Sequence, residues 1–351
     1  MNQEERNIAE SEMLAAPETV RRELPLPEAV RQQIRCWRRQ IIDILDGKDL
    51  RLLVIVGPCS IHHPGAALEY AKRLEKLSRQ VSSSLFLVMR AYFEKPRTTL
   101  GWKGLIYDPD LNGEYNIEKG ILTARGLLLK IAAFGLPAAS EVLDPVMSAY
   151  FTDLISWAGI GARTTESPPH RQLASGLPMP VGFKNGTDGS LKTAIEALTT
   201  VAAAHSFIGV MRNGHTGIFR TKGNPFCHLV LRGGNTGPNF SAGHLAEARQ
   251  KLAEAGLRQR LIVDCSHGNS NKNFLQQQSV FKEMIEQFQV GNSPLVGLML
   301  ESNLREGSQQ LREKFPVHPE ISITDPCLGW EKTEALILAA DRLIKKQVAG
   351  G

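Results

Sequence analysis

The stretch Leu52-Leu53-Val54-Ile55-Val56-Gly57-Pro58-Cys59-Ser60 decides the fold. It is an unbroken apolar run, short, closed by Gly-Pro and followed by an amphipathic stretch over 66–79. A strand covered by helices on both faces has no polar face to show, and so reads as a continuous hydrophobic run. The unit recurs. Apolar runs at 52–57, 85–90, 137–141, 159–163, 181–184, 228–232, 261–267 and 295–301 alternate with helical patterns such as 66–79, 117–134, 191–203, 243–255 and 274–288. Such alternation implies parallel strands joined by right-handed crossovers. Eight units over about 250 residues predict an α/β fold, a (β/α)8 TIM barrel, with a doubly wound open sheet as the alternative.

Two segments lie outside that pattern. Upstream, Val30, Ile34, Trp37, Ile41, Ile44 and Leu45 recur at helical spacing and Gly47 is placed to end the helix. The 24 residues at the start read as a short helix or an arm. Between the fifth and sixth barrel runs, 206–210 and 216–221 flank Met211-Arg212-Asn213-Gly214-His215, a β-hairpin with Asn-Gly at its turn. The expected organisation is an N-terminal helical extension over 1–50 and a barrel over 51–351 carrying the hairpin at about 205–222.

Of 351 residues, 42% are apolar and 22% charged, which excludes a disordered or fibrous chain. No apolar run approaches the roughly 18 residues that span a bilayer, so no membrane partner is expected. The start, Met-Asn-Gln-Glu-Glu-Arg-Asn, lacks the basic and apolar regions of a secretory signal, and five scattered cysteines suggest no disulfide framework. A reducing cytoplasm is expected. Lys plus Arg at 41 against Asp plus Glu at 36 gives a net charge of +5, a weak argument for nucleic acid. Arg35, Arg38 and Arg39 fall on the polar side of the first long helix.

Each of the eight runs ends at or near a residue suited to chemistry: Cys59, Arg90, Glu141, Arg163, Lys184, Arg232, His267 and Glu301. In a parallel barrel the C-terminal strand ends converge on one face. Cys59, His267 and Glu301, with Asp325 beyond the last strand, offer one sulfur, one nitrogen and two oxygens, a set that suits a divalent transition metal better than Mg²⁺ or Ca²⁺. Arg90, Arg163, Lys184 and Arg232 would repel one another unless an anion lay between them. Asn185-Gly186-Thr187-Asp188-Gly189 and Gly233-Gly234 leave backbone N–H groups free for phosphate. Lys95-Pro96-Arg97-Thr98-Thr99 suggests a second anion clamp. A metal beside two anion pockets implies a bisubstrate reaction on small phosphorylated acids or sugars.

Several long stretches carry a resemblance: Gly57-Pro58-Cys59-Ser60-Ile61-His62, Phe93-Glu94-Lys95-Pro96-Arg97-Thr98-Thr99, Gly161-Ala162-Arg163-Thr164-Thr165-Glu166-Ser167, Gly182-Phe183-Lys184-Asn185-Gly186-Thr187-Asp188-Gly189, Leu231-Arg232-Gly233-Gly234 and Asp264-Cys265-Ser266-His267. They resemble the metal-dependent, feedback-regulated 3-deoxy-D-arabino-heptulosonate 7-phosphate synthases. The resemblance implies condensation of phosphoenolpyruvate with erythrose 4-phosphate, the first step of the shikimate pathway to chorismate and the aromatic amino acids. By it, Cys59, His267, Glu301 and Asp325 are the ligands of Mn, Fe, Co or Zn. Arg90, Arg163, Lys184 and Arg232, with the Gly161-Ala162 backbone, hold phosphoenolpyruvate. Lys95, Arg97 and Thr98 meet erythrose 4-phosphate, Lys95 is a candidate proton donor, and Glu141 lies near the reacting carbons. A synthase using arabinose 5-phosphate, or a catalytically dead regulatory barrel, are the competing readings.

The family's regulated members form an effector site from the extension and hairpin and assemble as oligomers, so a homodimer or homotetramer is implied. Pro178 and Ser148-Ala149 belong by resemblance to that effector site and depart from the usual serine and Pro-Gln. Local wording implies tyrosine as the effector, tryptophan second, and loss of feedback third. His63 replaces an aspartate usual in the family, and Asn235-Thr236-Gly237-Pro238 carries an extra residue. Cys327, two residues past Asp325, is expected near Cys59, where a disulfide could form in air once metal is removed.

Overall fold

All six residues of Leu52–Gly57, the first strand (β1), are buried, as a run with no polar face requires. The computed structural model describes residues 7–97, 99–291, 293–311 and 316–350. The remaining strands are β2 (Leu85–Arg90), β3 (Ala138–Glu141), β4 (Trp157–Ile160), β5 (Val181–Lys184), β6 (Ser206–Val210), β7 (Thr216–Arg220), β8 (His228–Leu231), β9 (Leu261–Asp264) and β10 (Leu295–Glu301). Eight of these close into one parallel barrel in the order β1-β2-β3-β4-β5-β8-β9-β10, with β10 returning to β1. The closing register sets Gly57 beside Glu301.

Helices α1 (Pro17–Glu23) and α2 (Glu28–Asp46) precede the barrel. Crossovers α3 (Pro64–Gln80), α4 (Ile117–Ala133), α5 (Ser148–Phe151), α6 (Pro168–Ala174), α7 (Lys192–Ala202), α8 (Ala242–Glu254) and α9 (Gln277–Gln289) link successive strands, and α10 (Trp330–Gly350) follows the last. The (β/α)8 expectation is met and the open sheet is not. Among the described residues, no helix is long and apolar enough to cross a membrane.

β8 stops one residue short of its apolar run, and β4 and β9 three residues short of theirs. β4 ends at Ile160 because the N–H groups of Thr164 and Thr165 both turn back to the Gly161 carbonyl at 3.0 Å. β9 ends at Asp264 because its carboxylate accepts from the Ser266 N–H (3.0 Å) and hydroxyl (2.6 Å), a side-chain turn that competes with the ladder. Arg163 and His267 are therefore presented by loops, and His267 takes a left-handed φ of 59°. The unusual His63 caps α3: its Nδ1 accepts from the Ala66 N–H at 3.1 Å, with Pro64 opening the helix.

The flank that carries the extension is tied down by backbone contacts. Ile34, Trp37, Ile41, Ile44 and Leu45 of α2 are buried, each such side chain contributing roughly 1.5–3 kcal/mol by area. Around α1, Tyr150 donates to the Ala15 carbonyl (2.7 Å), Arg125 Nε to that of Leu24 (2.9 Å), and the Glu18 N–H to that of Arg212 in the hairpin turn (2.8 Å). β6 and β7 pair antiparallel as expected. Arg38 corrects the helical-wheel reading: its guanidinium turns inward to the carbonyls of Thr152 and Ile155.

Candidate active site

The barrel seam assembles the candidate metal ligands. Cys59 lies two residues past β1, Glu301 ends β10, and Asp325 sits in the loop before α10. Their ligating atoms lie within 4.8 Å of one another, with Cys59 Sγ 3.4 Å from Asp325 Oδ2. His267 approaches from the edge of this group, its Nε2 3.8 Å from Glu301 Oε1. Its Nδ1 is 2.6 Å from Ser266 Oγ and 3.0 Å from Asp264 Oδ2. A carboxylate on one ring nitrogen fixes the imidazole and leaves the other nitrogen free to ligate.

Lys95 sits among these donors, its Nζ 2.8 Å from Cys59 Sγ and 2.7 Å from Asp325 Oδ2. Burial alone would discharge it, but Cys59, Asp325 and Glu301 outweigh burial and raise the ammonium above its ordinary range. Burial, reinforced by the Glu301 carboxylate, pushes the Cys59 thiol up to about 11. A buried thiol and two carboxylates around one point call for positive charge there. A donor set of S, N, O and O fits a borderline divalent transition metal.

Beside the cluster is a cavity of about 200 Å³. Arg90, Lys95, Arg97, Arg163, Lys184 and Arg232 line it, with Glu141, Gly161, Ala162, His267 and Asp325. The structure thus brings together every sequence-predicted substrate residue except Thr98, which lies outside the described residues. Gly161 lets the Glu141 carboxylate lie close against the backbone, since a Cβ there would sit 2.3 Å from Glu141 Oε1 and push that side chain aside.

The expectation that four cations must repel needs correction. Lys184 Nζ is held by Asp264 Oδ2 at 2.7 Å, and Arg90 Nη2 by Glu301 Oε1 at 2.9 Å. Arg90 also lies 3.6 Å over the Tyr92 ring. Burial would raise the Asp264 carboxyl, yet Lys184 and His267 hold it well below the usual range. Arg163 and Arg232 carry the uncompensated charge. Arg163 is exposed, and burial, offset by Asp264 but reinforced by Arg163, lowers Arg232. Arg97 is exposed, with Nε on the Trp102 carbonyl at 2.9 Å.

The role of Asp264 was missed in the sequence; the available signal was an acid ending the apolar strand Leu-Ile-Val-Asp. Glu94 was missed too. Burial, with Asp144 beside it, pushes its carboxyl up to about 8, and Tyr107 Oη bridges it (3.3 Å) to Asp144 (3.1 Å). Cys59 and Cys327 are both buried free thiols, near enough that Cys59 adds to the burial that raises the Cys327 thiol.

A larger cavity, about 720 Å³, lies between the hairpin and α6. Ser148, Ala149, Pro178 and Gly209 line it together with Phe207 and Phe219, whose rings stack at 5.5 Å. A Cβ at Gly209 would lie 3.1 Å from the Phe219 ring, so glycine keeps this space open.

A closed parallel barrel whose C-terminal mouth joins a sulfur–imidazole–carboxylate cluster to an arginine-lined pocket defines a barrel enzyme for phosphorylated substrates. The chain belongs to the DAHP synthetase I family, whose profile matches residues 23–337. It is 49% identical over 332 residues to the Tyr-sensitive phospho-2-dehydro-3-deoxyheptonate aldolase of Escherichia coli, covering 94% of this chain and 93% of that one. The Phe-sensitive and Trp-sensitive aldolases of the same organism are each 48% identical, over 96% and 95% of this chain and 96% of either relative. A solved structure of the aldolase from Francisella tularensis superposes with a TM-score of 0.94 at 42% identity, covering 97% of this chain and 99% of that one.

Proposed function

We propose that the barrel mouth condenses phosphoenolpyruvate with erythrose 4-phosphate and water, giving 3-deoxy-D-arabino-heptulosonate 7-phosphate and inorganic phosphate, the synthase reaction of this family and the first step of the shikimate pathway. The observation that carries this reading is the meeting of Arg163, Arg232, Lys184 and the Gly161-Ala162 backbone with Asp325 and His267 in one cavity. Cys59, His267, Glu301 and Asp325 would hold Mn, Fe, Co or Zn, which when bound supplies Lewis acidity toward the aldehyde oxygen.

The chain's own groups do the rest. Arg163 and Arg232, whose charge is free, grip the phosphate and carboxylate of phosphoenolpyruvate, while Arg90 and Lys184, fixed by Glu301 and Asp264, set its orientation. Arg97, with Thr98, takes the phosphate of erythrose 4-phosphate at the rim. The enol carbon forms a bond to the aldehyde carbon, and Lys95 gives its proton to the aldehyde oxygen. Water adds to the carbon bearing the phosphate, Glu141 takes the proton of that water, and the C–O bond to phosphate breaks. An assay of phosphate release tests this. Turnover with erythrose 4-phosphate and none with arabinose 5-phosphate is expected; preference for the pentose, or no turnover with either, would overturn it.

The 720 Å³ cavity is read as the effector chamber, with residues 1–50 and the hairpin as the regulatory and assembly unit of a cytoplasmic homodimer or homotetramer. The stacked Phe207 and Phe219 favour an aromatic side chain. Tyrosine is the first choice of inhibitor and tryptophan the second. Coupling of this kind is typically about 1–3 kcal/mol, a rate change readily measured at subsaturating substrate. Inhibition by phenylalanine alone would overturn the assignment, and silence toward all three amino acids would mark an unregulated enzyme.

A further inference from the structure

A separate cavity of about 260 Å³ opens on the flank, between α1, α2 and the hairpin turn. Five guanidinium groups line it: Arg21 from α1, Arg31, Arg35 and Arg38 from α2, and Arg212 from the turn. Among the described lining residues Asp153 is the one carboxylate. It is already engaged, taking the Arg125 fork at 2.9 Å on each oxygen and Arg21 at 3.5 Å.

Arg38 donates to the Thr152 and Ile155 carbonyls and Arg21 Nη2 to the Ala149 carbonyl and Thr152 hydroxyl, neutral acceptors that leave the remaining charge without a counter-charge. Arg31 reaches Glu28 at 3.0 Å, an exposed pair of small worth. Arg35 makes no hydrogen bond or ion pair among the described residues, and the buried Nε of Arg21 has no partner there. Burial lowers the Arg38 guanidinium to about 10, with Asp153 opposing and Arg35 assisting. Burial likewise lowers Arg21, Asp153 opposing and Arg125, Arg212 and Arg31 adding their repulsion. Cations gathered from three separate segments are held together against that repulsion, and an anion between them removes it.

We propose that this groove is an anion site for a compact, multiply charged, phosphate-bearing molecule, distinct from both the barrel mouth and the larger cavity. Guanidinium forks converging from three directions match the several oxygens of a phosphate better than the planar pair of a carboxylate. The groove shares Arg21, Thr152, Pro178 and Arg212 with the 720 Å³ cavity. Occupancy of one therefore bears on the other, and by linkage the effect is mutual. The proposal stands whether or not that cavity takes an amino acid.

The test titrates inorganic phosphate calorimetrically into metal-loaded Arg97→Ala enzyme saturated with phosphoenolpyruvate, so that phosphoenolpyruvate occupies one anion pocket of the mouth and the substitution disables the other. One further phosphate per chain is expected to bind. Arg31→Ala/Arg35→Ala, on a half-exposed and an exposed helix position, is expected to weaken that binding at least tenfold while leaving the phosphoenolpyruvate KM unchanged. Arg212→Ala, in the exposed turn, serves as a second variant should the first fail to fold. Absence of phosphate binding, or binding as tight in a folded variant as in the native chain, overturns the site. Sedimentation with phosphatidylglycerol vesicles separates a free compound from a lipid headgroup: cosedimentation abolished by the same variants would overturn the small-molecule assignment.

Discussion

The mouth of the barrel and its arginine-rich flank handle charge in opposite ways. At the mouth, Lys184 faces Asp264, Arg90 faces Glu301, and Lys95 faces Cys59 and Asp325, all within hydrogen-bonding distance. Each partner comes from a barrel strand end or the loop just beyond it, so the backbone ladder sets the geometry. On the flank, five arginines line a groove with one acid among the described lining residues, Asp153, which a sixth already holds, and only Arg31 reaches another, the exposed Glu28. The difference teaches where each region's free energy goes. Most charges at the mouth are paired within the chain, and in the proposed reading Arg163 and Arg232 supply the attraction for substrate. The flank gathers like charges that its own acids do not balance, and the proposed anion site rests on that imbalance.

The sharpest break of this comparison is metal removal. Chelation is expected to abolish turnover, with Mn²⁺, Fe²⁺, Co²⁺ or Zn²⁺ restoring it in some order; a stripped enzyme that keeps its rate would refute the ligand assignment. Next come the two uncompensated arginines. Arg163→Ala and Arg232→Ala are expected to lower kcat/KM for phosphoenolpyruvate by roughly 100-fold, about 2.7 kcal/mol, while Arg97→Ala acts on erythrose 4-phosphate. Swapped effects in steady-state kinetics would reverse the pockets. Asp264→Asn keeps the shape but removes the charge that orients His267 and balances Lys184. A loss of about 10–100-fold in metal affinity is expected, read by competition with a chromogenic chelator.

A smaller effect concerns Glu94, whose carboxyl is raised to about 8. Between its ordinary range near 4.5 and 8 the folded chain keeps a proton that the unfolded chain has released, so stability falls as pH rises through that window. Glu94→Gln is expected to flatten the fall in Tm between pH 5 and 8; an unchanged slope would place the titration elsewhere. Smallest is His63→Ala, which removes the cap of α3 and is expected to cost about 1 kcal/mol in denaturant unfolding with kcat unaltered.

How much of this was legible depends on sequence distance. Arg90, Glu141, Lys184 and Glu301 end apolar strands, so locating the strands located them. Arg163 and His267 were found although their strands stop three residues earlier, because the turns that follow still point toward the mouth. The place of Lys95 among the sulfur and carboxylate donors was hidden, since its partners lie 36 and 230 residues away. The flank was the least legible. Arg21, Arg38 and Arg212 belong to three segments whose docking is fixed by backbone carbonyls such as those of Thr152 and Arg212, groups that every residue carries.

The register that sets Gly57 beside Glu301 has a consequence in time as well as space. Cys59 leaves the ribosome early, while Glu301 and Asp325 leave near the end, and the seam between the first and last strands cannot close before both have been made. A nascent or truncated chain can hold its sulfur but has nothing to share an ion with. Under the proposed ligand assignment, metal binding reports that the first and last strands have met.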